Sequence, residues 1–193
     1  MNQKILSVFI ICTALVIWNP LSTLGQEKAP NYATLKIGQY SPTGDLDDLG
    51  FDSKVDLELL FGHYFNENFA LEAGIGIFGS DREEGDLNVY FTAFALPVLT
   101  AKAVLPKKRF EFYGGGGIGY YQAKYDYNYF AIDIEESDTA FGYHVVAGFS
   151  YDFTPYWYLG LEGKQIWTDD FDFKVVKIDG DGRTLTFNVG LRW

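Results

Sequence analysis

The last ten residues of the chain, Thr184–Trp193, alternate strictly between large apolar side chains and small or polar ones. Successive side chains of a β-strand point to opposite faces, so this segment is predicted to be a strand with one wholly apolar face. That pattern indicates a sheet whose outer face meets lipid. The apolar face carries Leu185, Phe187, Val189, Leu191 and Trp193.

The N-terminal residues have the pattern of a secretory signal peptide. Lys4 supplies a positive charge, residues 5–18 are largely apolar, and small residues then offer a cleavage site, predicted after Gly25. The alternative is an uncleaved anchor helix, although a helix needs about 20 apolar residues to span a bilayer. The sequence therefore predicts a signal peptide over residues 1–25 and one exported domain over residues 26–193.

Composition excludes several classes of function. The single cysteine, Cys12, lies in the predicted signal, so the exported domain would have neither a disulfide framework nor thiol chemistry. The whole chain carries a net charge of −11, and loss of Lys4 makes it −12, which argues against a nucleic-acid partner. Aromatic residues are 18% of the chain and glycines number 21, a combination that favours short strands over a helical bundle.

Eight runs of residues alternate as strands do, and most are long enough for a tilted strand to cross a bilayer, which takes about 9–11 residues. Three of the connections are tight turns, and four are longer and acidic. Tight and long connections alternate along the chain, as in an up-and-down barrel with its turns on one side of a membrane. The predicted strands are Tyr32–Tyr40, Lys54–Phe65, Phe69–Gly79, Leu87–Val104, Phe110–Ala123, Thr139–Phe153, Tyr156–Thr168 and Thr184–Trp193. The predicted long loops are Ser41–Ser53, Ser80–Asp86, Lys124–Asp138 and Asp169–Arg183.

The chemistry of the two strand faces separates a membrane barrel from a soluble one. A soluble lipocalin-like barrel would turn an apolar face inward. In the sixth predicted strand, large residues such as Phe141 and Phe149 alternate with Gly142, His144 and Gly148. Because a narrow lumen needs small side chains and a lipid face does not, the large apolar face is predicted to contact lipid. The predicted fold is therefore all-β, an eight-stranded antiparallel up-and-down transmembrane β-barrel.

Four stretches of the chain resemble the small bacterial outer-membrane β-barrel proteins, in particular the outer membrane protein W type and related porin-type barrel domains. These stretches are Ala95–Lys102, Arg109–Tyr121, Phe141–Asp152 and Thr184–Trp193. The resemblance implies an integral outer-membrane protein that contacts lipids and lipopolysaccharide, and a narrow passage for small, often hydrophobic solutes. It also implies that the barrel-assembly machinery recognises the C-terminal strand through Phe187, Val189, Leu191 and Trp193, where Trp193 replaces the usual Phe.

If the alternation holds, every predicted strand places an ionisable side chain in the lumen. Buried charges need partners, because removing an ion from water costs several kcal/mol. One interpretation is a salt-bridged plug in a barrel too narrow to conduct, and the other is a gate whose ion pairs exchange and admit small solutes. The predicted lumen network is Lys36, Glu58, Glu72, Lys102, Glu111, His144, Glu162, Lys164 and Arg192.

The sequence does not determine which side chains of the fourth predicted strand face the lumen. If Lys102 points inward, then Phe94, Leu96 and Val98 also do, unless Pro97 marks a bulge that reverses the alternation. The first case predicts an apolar upper lumen that would suit hydrophobic compounds, and the second predicts that these residues contact lipid.

Two motifs could suggest enzymes. Gly114–Gly119 matches a dinucleotide-binding pattern, but no helical periodicity follows it, so the glycines more simply admit bulky neighbours into the lumen. A lipid-modifying enzyme would need a Ser/His/acid arrangement. His144 shares a strand face with Ser150 and Asp152, but they lie about 20 Å or more away along the strand. Neither catalysis nor a cofactor is predicted.

The four long loops hold 18 of the 26 acidic residues against five basic ones. Solvated, mutually repelling loops are the simplest interpretation. The alternatives are divalent cations that bridge the carboxylates, and adhesion to a partner through exposed aromatic residues. The loop aromatics are Tyr125, Tyr127, Tyr129, Phe130, Phe171 and Phe173.

Overall fold

A computed structural model describes residues 29–84, 87–129, 132–174 and 176–193. The predicted signal peptide, its cleavage site at Gly25 and the loop residue Phe130 lie outside the described residues. Within them, no helix has the length and apolar character needed to cross a membrane. The helix α1, Asp45–Asp48, is a single turn.

Eight long antiparallel strands close into a barrel, which confirms the predicted fold class. They follow one another around the wall, and the first strand, Asn31–Pro42, pairs with the last, Gly182–Arg192, from Tyr32↔Arg192 to Pro42↔Gly182. The short turns lie at one end of the barrel, the turn end, and the longer connections at the other, the hairpin end. The barrel strands are β1 Asn31–Pro42, β2 Asp52–Asn66, β3 Phe69–Glu84, β4 Leu87–Lys107, β5 Phe110–Tyr129, β6 Ile132–Asp152, β7 Trp157–Thr168 and β10 Gly182–Arg192.

Large apolar side chains cover the outside of the barrel, as the alternation predicts. Phe141 is 64% exposed and Leu185 66% exposed, whereas the alternate residues of the same strands are buried. An outer surface of this kind is unfavourable in water and favourable in hydrocarbon. The C-terminal residues Phe187, Leu191 and Trp193 belong to this exposed face, and Val189 is half-buried between them.

A bulge in β4 decides the facing of that strand. The register between β4 and β5 shifts between Ala95 and Val98, the two residues that flank Leu96 and Pro97. Val98 and Lys102 are buried on one side of the bulge, and Ala95 is buried on the other, while Phe94 and Leu96 are 42% exposed. The extra residue reverses the alternation, so Phe94 and Leu96 face outward and Val98 faces the lumen.

Two of the four predicted loops are wrong. Segments 80–86 and 124–138 consist largely of strand, because β3 and β4 pair up to Glu84↔Leu87 and β5 and β6 pair up to Tyr129↔Ile132. Tyr125 and Tyr127 alternate with charged residues, and aromatic side chains favour a pleated, half-buried surface. The many acidic residues therefore obscured the alternation that is typical of strands in these segments. The four strands project beyond the barrel as one sheet.

The other two long connections fold over the lumen at the hairpin end. Segment 41–53 contains α1, and segment 169–183 contains the short strands β8, Phe171–Asp172, and β9, Lys177–Ile178. β8 and β9 pair as a small hairpin separate from the barrel sheet. Aromatic residues predicted to be exposed are instead buried, with Tyr125 at 9%, Phe171 at 0% and Phe173 at 3% exposure.

Candidate functional site

All nine predicted lumen side chains are buried, and Lys164, at 7%, is the most exposed of them. They come from all eight barrel strands, so the interior of the barrel is charged along its central and turn-end parts. Eight of the nine form ion pairs, which divide into two groups.

The first group, the central network, is a chain in which acids and lysines alternate across the barrel. Lys102 contacts Glu72 at 2.8 Å and Glu162 at 3.0 Å. Lys36 contacts the other oxygen of Glu162 at 2.6 Å and lies 3.9 Å from Glu58. Because Lys102 joins Glu72 on β3 to Glu162 on β7, which lies across the barrel from β3, the network spans the lumen. In order, it runs Glu72, Lys102, Glu162, Lys36, Glu58 and Lys164.

The second group, the lower network, surrounds Arg192 near the turn end. The guanidinium donates to Glu111 at 2.6 Å and to Asp152, which sequence reasoning did not include in the network. The face of the same guanidinium lies 4.1 Å from the centre of the Tyr158 ring. Tyr64 donates to Glu111 at 3.0 Å. The terminal strand is thus fastened to β5, β6 and β7 by one side chain.

His144 takes no part in the ion pairs. Its Nε2 forms a 2.9 Å hydrogen bond with the hydroxyl of Thr100 on β4. Ser150 donates to Glu111 at 3.3 Å. The described side chains therefore do not bring Ser150 and His144 together as the nucleophile and base that a lipid hydrolase needs.

Tyrosines fill the turn end of the lumen. The sequence prediction did not include them, because it considered only acidic and basic side chains. Tyr32 donates to Glu72 at 3.0 Å, and Tyr158 bonds to Thr34. Each ring lies against a glycine of the neighbouring strand, Tyr32 against Gly62 and Tyr158 against Gly190. The residues that could have indicated this packing are the inward glycines themselves, which leave room for bulky neighbours.

A small cavity of about 20 Å³ remains between the two networks, enough for one water molecule. Glu72 and Lys102 line it together with Tyr113 and Asn188. The Oε2 atom of Glu72 is buried and has no hydrogen-bond partner among the described residues. A solute-sized passage at this level would need the central network to separate.

The hairpin end of the lumen is closed by apolar packing, the upper seal. The seal joins Phe171, Phe173 and Ile178 from segment 169–183 to Phe91 and Tyr125 of the projecting sheet. Phe171 lies edge-on to Phe91, with ring centroids 5.8 Å apart, and Tyr125 stacks on Phe173 at 5.5 Å. Removing these rings from water stabilises the closed arrangement, so the lumen is blocked twice, by charge and by apolar contact.

Carboxylates fasten segment 169–183 in place. Asp181 accepts a 2.8 Å bond from the backbone N–H of Thr168, and Asp179 accepts one from the N–H of Asp181 at 3.1 Å. Partial burial raises the pKa of both Asp179 and Asp181, and the nearby Asp45 carboxylate raises them further. Among the residues that the structure describes, no group of three or more acids, histidines or cysteines could hold a metal ion.

Removing only the charge of Asp181 and removing its hydrogen-bond acceptor should therefore change the rate of proteolysis of segment 169–183 in opposite directions. Asp181→Asn keeps an oxygen for the Thr168 N–H and removes repulsion from Asp179, so proteolytic cleavage of the segment should slow. Asp181→Ala loses the acceptor, and cleavage should accelerate by about two- to tenfold. Limited proteolysis of the folded barrel measures both rates. Equal rates for the Asn and Ala variants would contradict this account.

The raised pKa of Asp179 and Asp181 also implies that the unaltered protein is cleaved more slowly as the pH falls through these pKa values, because the closed segment favours the protonated acids.

Comparison with known proteins identifies the fold. The family model for the outer membrane protein beta-barrel domain matches residues 10–193. No curated protein matches the chain. Among solved structures, Neisserial surface protein A superposes with a TM-score of 0.64 at 14% identity, over 84% of this chain and 97% of its own.

Two further solved structures share the fold at similarly low sequence identity. Ail, the attachment invasion locus protein of Yersinia pestis, has a TM-score of 0.53 at 16% identity, over 86% of this chain and 98% of its own. OprG from Pseudomonas aeruginosa has a TM-score of 0.51 at 14% identity, over 86% of this chain and 96% of its own. At these identities the likeness concerns the barrel alone.

Proposed function

Because the chain belongs to the outer membrane protein beta-barrel domain family, we propose that it is a sealed envelope barrel that anchors its projecting hairpins at the cell surface. The turn end then faces the periplasm, and the hairpin end faces outward. The observation that carries this proposal is the double closure of the lumen by the central network and the upper seal.

Geometry supports a closed resting state. An eight-stranded barrel has an interior that side chains fill, with room for no more than one small ligand. In this lumen a solute would have to separate Lys36 and Lys102 from Glu162, all of which are at most 5% exposed. Separating buried charges leaves each without its partner, which costs several kcal/mol per ion. The main role proposed is therefore structural.

Planar-bilayer recording of the folded domain, residues 26–193, tests the closure. The unaltered protein should show no discrete openings. Glu72→Ala and Lys102→Ala weaken only the central network, and Phe171→Ala weakens only the upper seal, so each variant should stay silent as well. A variant that combines Lys102→Ala with Phe171→Ala should show openings, because both barriers are then breached.

Controls must establish that silent protein is folded and inserted. Heat-modifiable migration on a gel identifies the folded barrel, and protease protection in vesicles identifies insertion. Frequent openings of the unaltered protein, changed in frequency by Glu72→Ala, would overturn the sealed barrel and establish a gate.

A narrow channel for small solutes is the second candidate. It is favoured by the shared pairing of Lys102 with Glu72 and Glu162, since a lysine with two acids can exchange one for the other. The cavity beside Glu72 would then be the first space that an entering solute occupies.

Further parts of the proposal concern export, partners and chemistry. A signal peptide cleaved near Gly25 would direct export, and the C-terminal strand ending at Trp193 would serve recognition by the barrel-assembly machinery. Lipids and lipopolysaccharide would cover the apolar outer face. The bonding of His144 to Thr100, and of Ser150 to Glu111, supports a protein that is not an enzyme.

A further inference from the structure

The projecting sheet ends in a strand with one open edge. β6 pairs with β5 from Ile132 to the turn end, but it pairs with β7 only from Gly142↔Thr168 downward. One bond extends this ladder, from the N–H of Asp169 to the carbonyl of Phe141. In the described residues above it, Glu135–Thr139 have a strand neighbour on the β5 side alone.

The direction of the backbone groups follows from that last bond. Within a strand, alternate residues direct their N–H and C=O groups to the same side. Since the carbonyl of Phe141 points towards β7, the backbone groups of Glu135, Ser137 and Thr139 point to the open edge. All three residues are exposed, with the Glu135 side chain at 65%. They offer a row of donors and acceptors of the kind that accepts a further strand.

The described residues of segment 169–183 run beside this edge without forming a strand pair with it. The N–H of Asp172 bonds to the side chain of Asp138 at 2.7 Å, and the N–H of Lys174 bonds to the side chain of Glu136. Asp138 and Glu136 share the inward face of β6 with the buried Ala140. Beyond Asp169, the described residues of the segment therefore lie on the inner side of the sheet, and their bonds to β6 go to side chains rather than to the backbone of the edge.

Charge selects what this edge can bind. The edge, Glu135–Thr139, and segment 169–183 together have a net charge of −5. A second copy pairing edge to edge would place these like charges together, which is destabilising. An extended basic segment would instead gain both backbone bonds and opposite charge. The acidic residues concerned are Glu135, Glu136, Asp138, Asp169, Asp170, Asp172, Asp179 and Asp181, and the basic ones are Lys174, Lys177 and Arg183.

We infer that the open edge of β6 over Glu135–Thr139 binds an extended, lysine- or arginine-rich segment of a partner polypeptide by strand addition. The site lies outside the barrel, so it goes beyond the proposed function. It operates whether the lumen conducts or stays closed.

The probe is a short acetylated and amidated peptide that alternates Lys with Thr, titrated into the isotope-labelled, full-length folded barrel in micelles. Amide signals of Glu135, Ser137 and Thr139 should shift on binding, and their hydrogen exchange should slow by about tenfold or more. The amides of Glu136 and Asp138 face β5, so their exchange should not change. The same peptide with every backbone nitrogen methylated keeps its charge but loses its donors, and it should not bind.

Ser137→Pro tests the edge from the protein side. Proline removes the N–H that points to the open edge without breaking a bond to β5, and its ring obstructs an added strand. Affinity should fall by about tenfold, whereas Ser137→Ala, which keeps the N–H, should bind within about twofold of the unaltered protein. Heat-modifiable migration shows whether each variant is folded.

Three outcomes would overturn the inference. Equal binding of the methylated peptide would mean that charge alone attracts it. Equal binding of a peptide that alternates Glu with Thr would remove the role of charge. Slowed exchange of Ser137 at high protein concentration, without peptide, would make the partner a second copy of this chain. The methylated peptide acts on the unaltered protein, so the result stands even if Ser137→Pro fails to fold.

Discussion

Glu162→Gln is expected to lower the free energy of unfolding of the barrel by about 3–5 kcal/mol. Glu162 is 1% exposed, and its two oxygens hold Lys36 at 2.6 Å and Lys102 at 3.0 Å. The amide has nearly the same shape but no charge, so two buried ammonium groups lose their shared counterion at once. Reversible urea unfolding in lipid vesicles, followed by tryptophan fluorescence, measures the change.

An exposed ion pair provides the matched control for this substitution. Glu135 pairs with Lys124 at 3.0 Å, but both side chains are largely in water, at 65% and 45% exposure. Glu135→Gln should therefore change stability by only about 0–1 kcal/mol. Combining Glu162→Gln with Lys102→Met should recover part of the loss, because the uncompensated charge is removed. A loss below about 1 kcal/mol for Glu162→Gln would mean that the central network does not exist in the membrane.

The barrel could be predicted from sequence because its two faces obey a period of two over most of its strands. Once the apolar face of β10 is directed outward, the other face and Arg192 must be inside. The same argument applies to Lys36 on β1 and to Glu162 on β7. The tight turns then fix the direction of each strand, so the order around the wall follows from the order along the chain.

The pairing of the charged residues could not be predicted in the same way. Alternation states which side chains enter the lumen, but partners across a barrel depend on strand tilt, stagger and side-chain reach. Lys164 on β7 contacts Glu58 on β2, 106 residues away, rather than a residue of an adjacent strand. Asp152 entered the lower network because it faces Arg192 across the turn end, a relation that strand spacing alone does not reveal.

The hairpin end shows a different reason for failure. The acidic residues there suggested solvated loops. Tyr125 and Phe171 are nevertheless buried, although charged residues are next to them in the sequence. Local composition and local periodicity gave opposite indications, and periodicity was correct because aromatic burial outweighs the preference of neighbouring carboxylates for water. In β4, the registers with β3 and with β5 establish that Pro97 lies in a bulge, which the sequence alone did not decide.

Gly190→Ala is expected to destabilise the barrel by about 1–3 kcal/mol, although it adds a single methyl group. Gly190 pairs directly with Tyr158 across β10 and β7, and a Cβ atom at Gly190 would lie 2.0 Å from the tyrosine ring. The ring cannot move aside freely, because its hydroxyl is bonded to Thr34 and the Arg192 guanidinium lies 4.1 Å from its centre. The methyl group must therefore break one of these contacts or shift the backbone of β10.

Urea unfolding in vesicles measures this effect, and Gly114→Ala is its control. A Cβ atom at Gly114 would approach nothing closer than the Val146 carbonyl, at 3.8 Å, so that substitution should be nearly neutral. Both changes replace a strand glycine by the same residue, so any difference between them arises from the space at each site rather than from strand propensity. Equal effects of the two substitutions would mean that Tyr158 does not pack against Gly190. If the clash is real, Gly190→Ala should also weaken the lower network, because displacing Tyr158 removes the aromatic face beneath Arg192.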